Sequence, residues 1–253
     1  MIGNGYNILA EVAVKKISFY KGSKSAYFIS SMLAGIYVGI CMVLMLVMAG
    51  LFEGFMGLKI LQGASFAAAL SLVVFAGAEL FTGNVFVMTA GVSSGVVKTK
   101  DAVGLCSFCY LGNLAGSVFI SLLFFGTGYL QGKVLTEAVA AIDFKTIASF
   151  LELLFRGVLC NLLVCAAVWC VFRLTSESGK LIIIFWCIYL FVVSGFEHSI
   201  ANMSLFSLGL MSGEIGATGF ALMLKNLAST TIGNIIGGMM LALAYWSIAR
   251  KTV

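Results

Sequence analysis

The feature that most restricts the fold is a set of apolar runs too long for the helices of a soluble core. Tyr27 to Gly50 carries no charged side chain over 24 residues, and a helix needs about 20 apolar residues to cross a bilayer. Similar runs recur towards the C-terminus. Of the 253 residues, 61% are hydrophobic and 10% charged, with a mean hydropathy of +1.11. A soluble domain is about half apolar and roughly a quarter charged. The chain therefore reads as an all-α polytopic membrane protein, and no stretch resembles an aqueous catalytic domain. No removable signal peptide is expected, because the first ~25 residues lack an apolar core flanked by a cleavage site.

Two apolar runs are interrupted by ionisable residues. Gly195-Phe-Glu-His-Ser-Ile-Ala-Asn202 holds Glu197 and the only histidine, His198. Gly77-Ala-Glu-Leu-Phe-Thr-Gly-Asn84 echoes it, and both read Gly-x-Glu-x-x-x-small-Asn. Glu79 and Asn84 precede Glu197 and Asn202 by one offset, since 197 − 79 and 202 − 84 both equal 118. Ionisable groups at membrane depth mark pathways or proton relays. Broken apolar segments at matching places in two halves point to a transport site.

Around these stretches the spans fall into place. Residues 1–26 read as a short interfacial helix followed by a loop, with Ile8, Val12, Lys15 and Phe19 at helical spacing. The body, 27–249, divides into halves over 27–130 and 147–249, and 250–253 form a tail. The first span covers 27–50. A loop over 51–61 leads to the second span, which starts near Gln62, breaks over 80–84 and resumes over 85–97. The third covers 102–130, and a polar connection runs to about Thr146. The fourth covers 147–172. The fifth starts at Leu181, breaks over 195–202 and resumes over 203–211, and the sixth covers 220–248.

The halves match elsewhere too. Gly112-Asn-Leu-Ala-Gly116 pairs with Gly233-Asn-Ile-Ile-Gly237, and Gly35 with Gly157. Three spans per half is odd, so the second half is expected to be inverted, giving a three-plus-three repeat. Proline is absent and glycine numerous, at 29 residues. Helix breaks must then rely on glycine and on polar side chains that recapture freed backbone groups.

These residues closely resemble the formate/nitrite transporter family. The motifs that carry the resemblance are Ala78-Glu-Leu-Phe-Thr-Gly-Asn84, Gly112-Asn-Leu-Ala-Gly-Ser117, Leu159-Cys-Asn-Leu-Leu-Val-Cys165, Gly195-Phe-Glu-His-Ser-Ile-Ala-Asn-Met203, and Asn226-Leu with Thr231-Ile-Gly-Asn-Ile-Ile-Gly-Gly238. The resemblance implies an aquaporin-like protomer, a homopentamer, and one pore per protomer for a small monovalent anion such as formate, nitrite, hydrosulfide or lactate. It also implies a pore centre at His198, Thr82 and Asn161. It implies a cytoplasmic-side constriction at Leu80 and Phe191 and a periplasmic-side one at Phe66 and Leu70. Vestibule charge is implied at Lys145 and at Lys16 or Lys15. Many members carry a proline before the last Gly-Asn motif, where this chain has Ala228-Ser229-Thr230.

The residues can be weighed on their own chemistry. His198 lies in a break beside a carboxylate, which favours a pore role and direct proton exchange over simple packing. Glu79 and Glu197 look like a relay, yet a free carboxylate would repel an anion. Supporting the broken helices, by accepting from orphan N–H groups, is the better assignment. Asn84 and Asn202, with Asn113 and Asn234, are expected to tie the same helices down. Asn161 could equally bridge two helices. The seven cysteines lie in apolar segments and read as small fillers. Cys106-x-x-Cys109 has a zinc or redox spacing but no further ligands at zinc spacing.

The expected function is a channel or transporter for small monovalent anions of weak acids, proton-coupled through His198. No metal, cofactor, enzyme activity or nucleic-acid partner is expected, and the net charge of +5 follows from topology. A neutral-solute pore of the aquaporin type is the alternative, but its Asn-Pro-Ala boxes need proline. An ammonium channel would want paired histidines and more spans.

Six spans put both termini on one side. That side holds ten of the fifteen basic residues, so the positive-inside rule places both termini in the cytoplasm of a cell with this chain in its inner membrane. Single cysteines at 53, 133 and 214 in a cysteine-free background should then react with an impermeant thiol reagent from outside. Reaction of position 133 from the cytoplasmic side alone would overturn the topology.

Overall fold

The computed structural model describes residues 2–251, so the tail assigned to 250–253 lies partly outside the described residues. The described residues form eleven helices joined by short links, with no strand among them. The helices are α1 (Ile2–Gly22), α2 (Lys24–Leu51), α3 (Leu58–Phe66), α4 (Ala68–Phe75), α5 (Phe81–Ser93) and α6 (Thr99–Gly126). They continue as α7 (Gly132–Ile147), α8 (Phe150–Arg173), α9 (Glu177–Val193), α10 (Ser199–Ser212) and α11 (Ala217–Ala249). Five stretches are long and apolar enough to cross a membrane: α2, Leu58–Phe75, α6, α8 and α11. With 17 residues, α9 is about 26 Å long.

Several boundaries differ from the sequence reading. The expected loop before the first span shrinks to one residue, Ser23, whose hydroxyl caps α2 by accepting from the Ala26 N–H at 3.3 Å. Hydroxyl caps are strongly preferred at helix starts, so α2 begins at Lys24 rather than near Tyr27. The first helix is docked as well as amphipathic. It buries Tyr6, Leu9, Ala10 and Ala13 against the body, and the Tyr6 hydroxyl lies 2.7 Å from that of Ser93. Two residues of the face expected to be apolar, Ile8 and Phe19, stay exposed.

The polar connection before Thr146 is a 16-residue helix, α7. Ala138, Ile142 and Thr146 recur every fourth position and form its buried face, as helical spacing allows. Lys133, Glu137, Asp143 and Lys145 around that stripe hid it. Ser149 starts α8 with a reciprocal capping box: its hydroxyl takes the Glu152 N–H, and the Glu152 carboxylate takes the Ser149 N–H at 2.7 Å. Without the familial proline, α11 runs unbroken over 33 residues through Ala228-Ser229-Thr230.

Backbone packs directly on backbone in the pairs α2–α6 and α8–α11. A Cβ at Gly116 would strike the Met32 carbonyl oxygen, and one at Gly233 the Leu154 carbonyl oxygen. Small residues at such crossings let helices approach where no hydrophobic force drives them together. Gly116→Ala should lower the thermal unfolding temperature in detergent, as expected for overpacking worth about 1–3 kcal/mol. Gly126→Ala, at a position with open space around its Cβ, should leave it unchanged or slightly higher, and equal losses in both would refute the close-packing argument.

Candidate functional site

Two short non-helical links carry the polar residues inward. Ala76 to Leu80 separates α4 from α5, and Ser194 to His198 separates α9 from α10. Gly77 and Gly195 each have φ +72, a left-handed conformation that glycine adopts without a steric penalty. Each link ends on an extended residue that opens the next helix: Leu80 (φ −105, ψ 126) and His198 (φ −111, ψ 113). These pairs share the offset of the glutamates, since 195 − 77 and 198 − 80 both equal 118.

The freed backbone groups are held by two asparagines. Asn113 accepts from the Phe81 N–H at 2.9 Å and donates to the carbonyls of Ser31 and Glu79 at 2.7 and 2.9 Å. Asn234 accepts from the Ser199 N–H at 3.0 Å and donates to the carbonyls of Gly157 and Glu197 at 2.9 and 3.0 Å. The sequence reading gave the task of binding orphan N–H groups to the glutamates, and the structure gives it to these amides. An amide carries both a donor and an acceptor, which a link exposing both N–H and C=O groups requires. A carboxylate offers acceptors alone.

The glutamates instead bind side-chain donors. Lys16 donates to both oxygens of Glu79 at 2.6 and 2.7 Å, joined by the Tyr27 hydroxyl at 3.1 Å and the Asn84 amide at 2.8 Å. Lys145 donates to both oxygens of Glu197 at 2.9 Å, joined by the Asn202 amide at 2.6 Å. Asn202 is steadied in turn by Asn226, which the sequence reading placed in a motif but gave no task. The Glu197 side chain is 2% exposed, and a carboxylate so buried needs a partner. Each lysine expected to supply vestibule charge, Lys16 and Lys145, is thus paired with a glutamate. Its third N–H remains available, because an ammonium has three donors.

Each ion pair lines a cavity of its own. One, of about 410 Å³, is lined by Lys15, Lys16, Leu70, Glu79 and Leu80 among others. The other, of about 400 Å³, is lined by Lys59, Phe66, Lys145, Phe191, Glu197 and His198 among others. They lie at opposite ends of α2. Tyr27, in its first turn, binds Glu79 of the first cavity, and Met45, Leu46 and Ala49 near its end line the second. Between them is a void of about 10 Å³ bounded by Val38, Phe66, Leu70, Leu80, Phe191 and His198, with Val164 and Ile188. The four apolar residues therefore group differently from the expectation: Leu70 with Leu80 towards the first cavity, and Phe66 with Phe191 towards the second. The Phe66 and Phe191 rings meet edge to face at 6.1 Å.

His198 borders both the void and the second cavity. Its Nδ1 accepts from the Ala201 N–H at 3.3 Å, so the ring caps α10. Its Nε2 lies 3.0 Å from the Thr82 hydroxyl, and its face stacks on Phe191 at 6.0 Å. Thr82 and Asn161 are fully buried and border none of these spaces. Asn161 donates to the carbonyls of Asn234 and Thr82 at 2.5 and 3.3 Å, bridging α8 to α11 and α5.

The formate/nitrite transporter family model matches residues 4–247. The chain belongs to the formate/nitrite transporter family. Among its relatives, the nitrite transporter NirC of Escherichia coli (strain K12) is 38% identical, covering 89% of this chain and 84% of its own length. The formate channel FocA of the same strain is 30% identical, covering 97% and 96%. Solved structures agree. One titled "FNT family ion channel" superposes with a TM-score of 0.90 at 34% identity, over 97% of this chain and 98% of that one. A "Pentameric formate channel with formate bound" does so at 0.75 and 31% identity, over 90% and 98%. Like the family, this chain is a membrane transport protein and not an enzyme.

The ion pairs give a stability test. Lys145→Met leaves the Glu197 carboxylate buried without its cation, and breaking a buried pair from one side costs about 3–5 kcal/mol. The single variant should unfold at a clearly lower temperature in detergent. Adding Glu197→Gln, which keeps an acceptor for Asn202, should recover most of the loss. No recovery in the double variant would mean that Lys145 acts through packing alone.

Proposed function

We propose that the protein conducts small monovalent anions of weak acids, formate and nitrite before hydrosulfide, through one pore in each protomer of a homopentamer. The protomer is read as six spans in an inverted three-plus-three repeat. The halves are α2 with α3–α5 and α6, and α8 with α9–α10 and α11. The links at Glu79 and Glu197 are the breaks in their second spans. Both termini face the cytoplasm, which makes the Lys16 cavity the inner vestibule and the Lys145 cavity the outer one.

The observation that carries this reading is the pair of cavities at opposite ends of α2, divided by apolar side chains around a void of about 10 Å³. An anion reaching a vestibule meets the spare N–H of a paired lysine. Ahead lie Leu70 and Leu80 on one side, Phe66 and Phe191 on the other. A bare anion in such surroundings loses its hydration at great cost, whereas the neutral acid of formate or nitrite does not. The charge is therefore removed before the apolar stretch, by a proton taken up in the vestibule. Hydrated cations have no comparable escape.

The geometry favours water as the source of that proton over His198. The Ala201 N–H can only donate, so Nδ1 facing it is unprotonated and Nε2 carries the hydrogen, directed at the Thr82 hydroxyl. A ring held this way takes a second proton only by giving up its cap on α10. His198 then serves as a neutral polar wall that keeps the middle of the pore from being wholly apolar.

Proteoliposomes with an internal pH dye test both parts. Formate and nitrite should enter with acidification of a lumen buffered at neutral pH, while glycerol and potassium should not, and glycerol flux without anion flux would overturn the anion reading. His198→Asn, which retains a capping acceptor, should slow uptake and leave the anion-to-proton ratio unchanged. Loss of proton movement with residual anion current would restore the histidine as donor. Phe66→Ala and Leu70→Ala should each admit larger carboxylates such as lactate faster than wild type, and unchanged size selectivity in both would remove them from the constriction.

A further inference from the structure

A third large space has no part in the path described. It is a groove of about 550 Å³ between α5, α6 and α11, with walls that include Phe81, Val85, Met88, Val103, Met239 and Trp246. Its α5 wall runs from Phe81 to Ser93, about 18 Å at 1.5 Å per residue. That is close to the depth of one leaflet, since the hydrocarbon core of a bilayer is about 30 Å thick.

The two ends of the groove differ. The Phe81 end is apolar and lies at mid-helix depth. The other end holds Ser93, Thr99 and Trp246, and indole rings favour the level of the lipid headgroups. Basic side chains gather at that end. Lys98 and Lys100 flank Thr99 and are exposed, and neither is in an ion pair among the described residues. The nearest acid in sequence, Asp101, is taken by Lys21 at 2.6 Å. The Arg250 guanidinium lies 4.6 Å from the centre of the Trp246 ring. A leaflet-deep apolar slot that ends in cations outside the ion pairs of the described residues is complementary to a phospholipid with an anionic headgroup.

We propose that this groove binds an acyl chain of an anionic phospholipid, with its phosphate among Lys98, Lys100 and Arg250. Basic recesses between membrane helices on the cytoplasmic side favour such headgroups. The site is separate from the anion path, so lipid here would brace α5, the helix that carries Thr82 and Asn84, against α6 and α11 without entering the pore.

Trp246 provides a local probe. In a Trp169→Phe/Trp186→Phe background it is the sole tryptophan. The protein is reconstituted into phosphatidylcholine vesicles containing a small fraction of brominated phosphatidylglycerol or brominated phosphatidylcholine. At equal mole fraction the brominated phosphatidylglycerol should quench Trp246 at least twofold more strongly. K98Q/K100Q/R250Q should bring the two lipids level. Val103→Phe, which fills the slot and keeps the charges, should also remove the excess quenching. Equal quenching by both lipids in wild type would overturn the proposal. Absence of quenching by either would overturn it too, and would assign the groove to a neighbouring copy of the chain. Excess quenching that persists in Val103→Phe would place the lipid on the charged surface alone and equally refute the slot.

Discussion

The whole arrangement depends on satisfying backbone groups where two helices stop short inside an apolar body. A helix end in such a place leaves N–H and C=O groups without water, and each uncompensated group costs several kcal/mol. Asn113 and Asn234 meet that need by bonding one N–H and two carbonyls each. Both sit on long helices, α6 and α11, whose close glycine contacts fix them against α2 and α8. The glycines thus do more than pack helices. They set the height and reach of the amides that hold the links open, and through the links the positions of Leu80 and His198.

Charge is handled with the same economy. Two carboxylates lie in a region that rejects unpaired ions, and each is met by a lysine and an asparagine. The pairing neutralises each glutamate, and it leaves a spare donor on each lysine, which lines a cavity. Unpaired cations stand further out, Lys15 in one cavity and Lys59 in the other, with no ion pair among the described residues. The unpaired charge then lies at these exposed lysines, and the inner lysines offer hydrogen bonds instead of net charge.

Much of this was legible in the sequence, for reasons that can be traced to particular residues. The links were visible because a glutamate is costly inside an apolar run, and a glycine two positions before it and an asparagine five after it supply a turn and a hydrogen-bonding partner. The Asn113 and Asn234 motifs were visible because each is bracketed by glycines at the same spacing. The partners of the glutamates were not visible. Lys16 lies 63 positions from Glu79, and Lys145 lies 52 from Glu197, and no local pattern encodes such pairings. Helix α7 was obscured because its buried stripe consists of small or polar residues, Ala138 and Thr146 around a single Ile142. The grouping of the four apolar wall residues also escaped the sequence. Phe66 and Leu70 are four apart and share one helix face, with Ala67 between them in a helical conformation, but they stand about 6 Å apart along the axis, and spacing alone does not say which cavity each meets.

The matched links also carry different side chains at equivalent places. Leu80 and His198 occupy equivalent places, each the extended residue before a helix, with similar dihedral angles. At Leu80 no side chain caps α5, and the residue turns an apolar surface to the void and the first cavity. At His198 the ring caps α10 and turns a polar surface to the void and the second cavity. A second copy of histidine at position 80 would place two polar groups across a space of about 10 Å³, which water could bridge. Leucine in place of histidine would leave the centre wholly apolar and α10 without its side-chain cap. One polar and one apolar residue thus stand at equivalent places on the void.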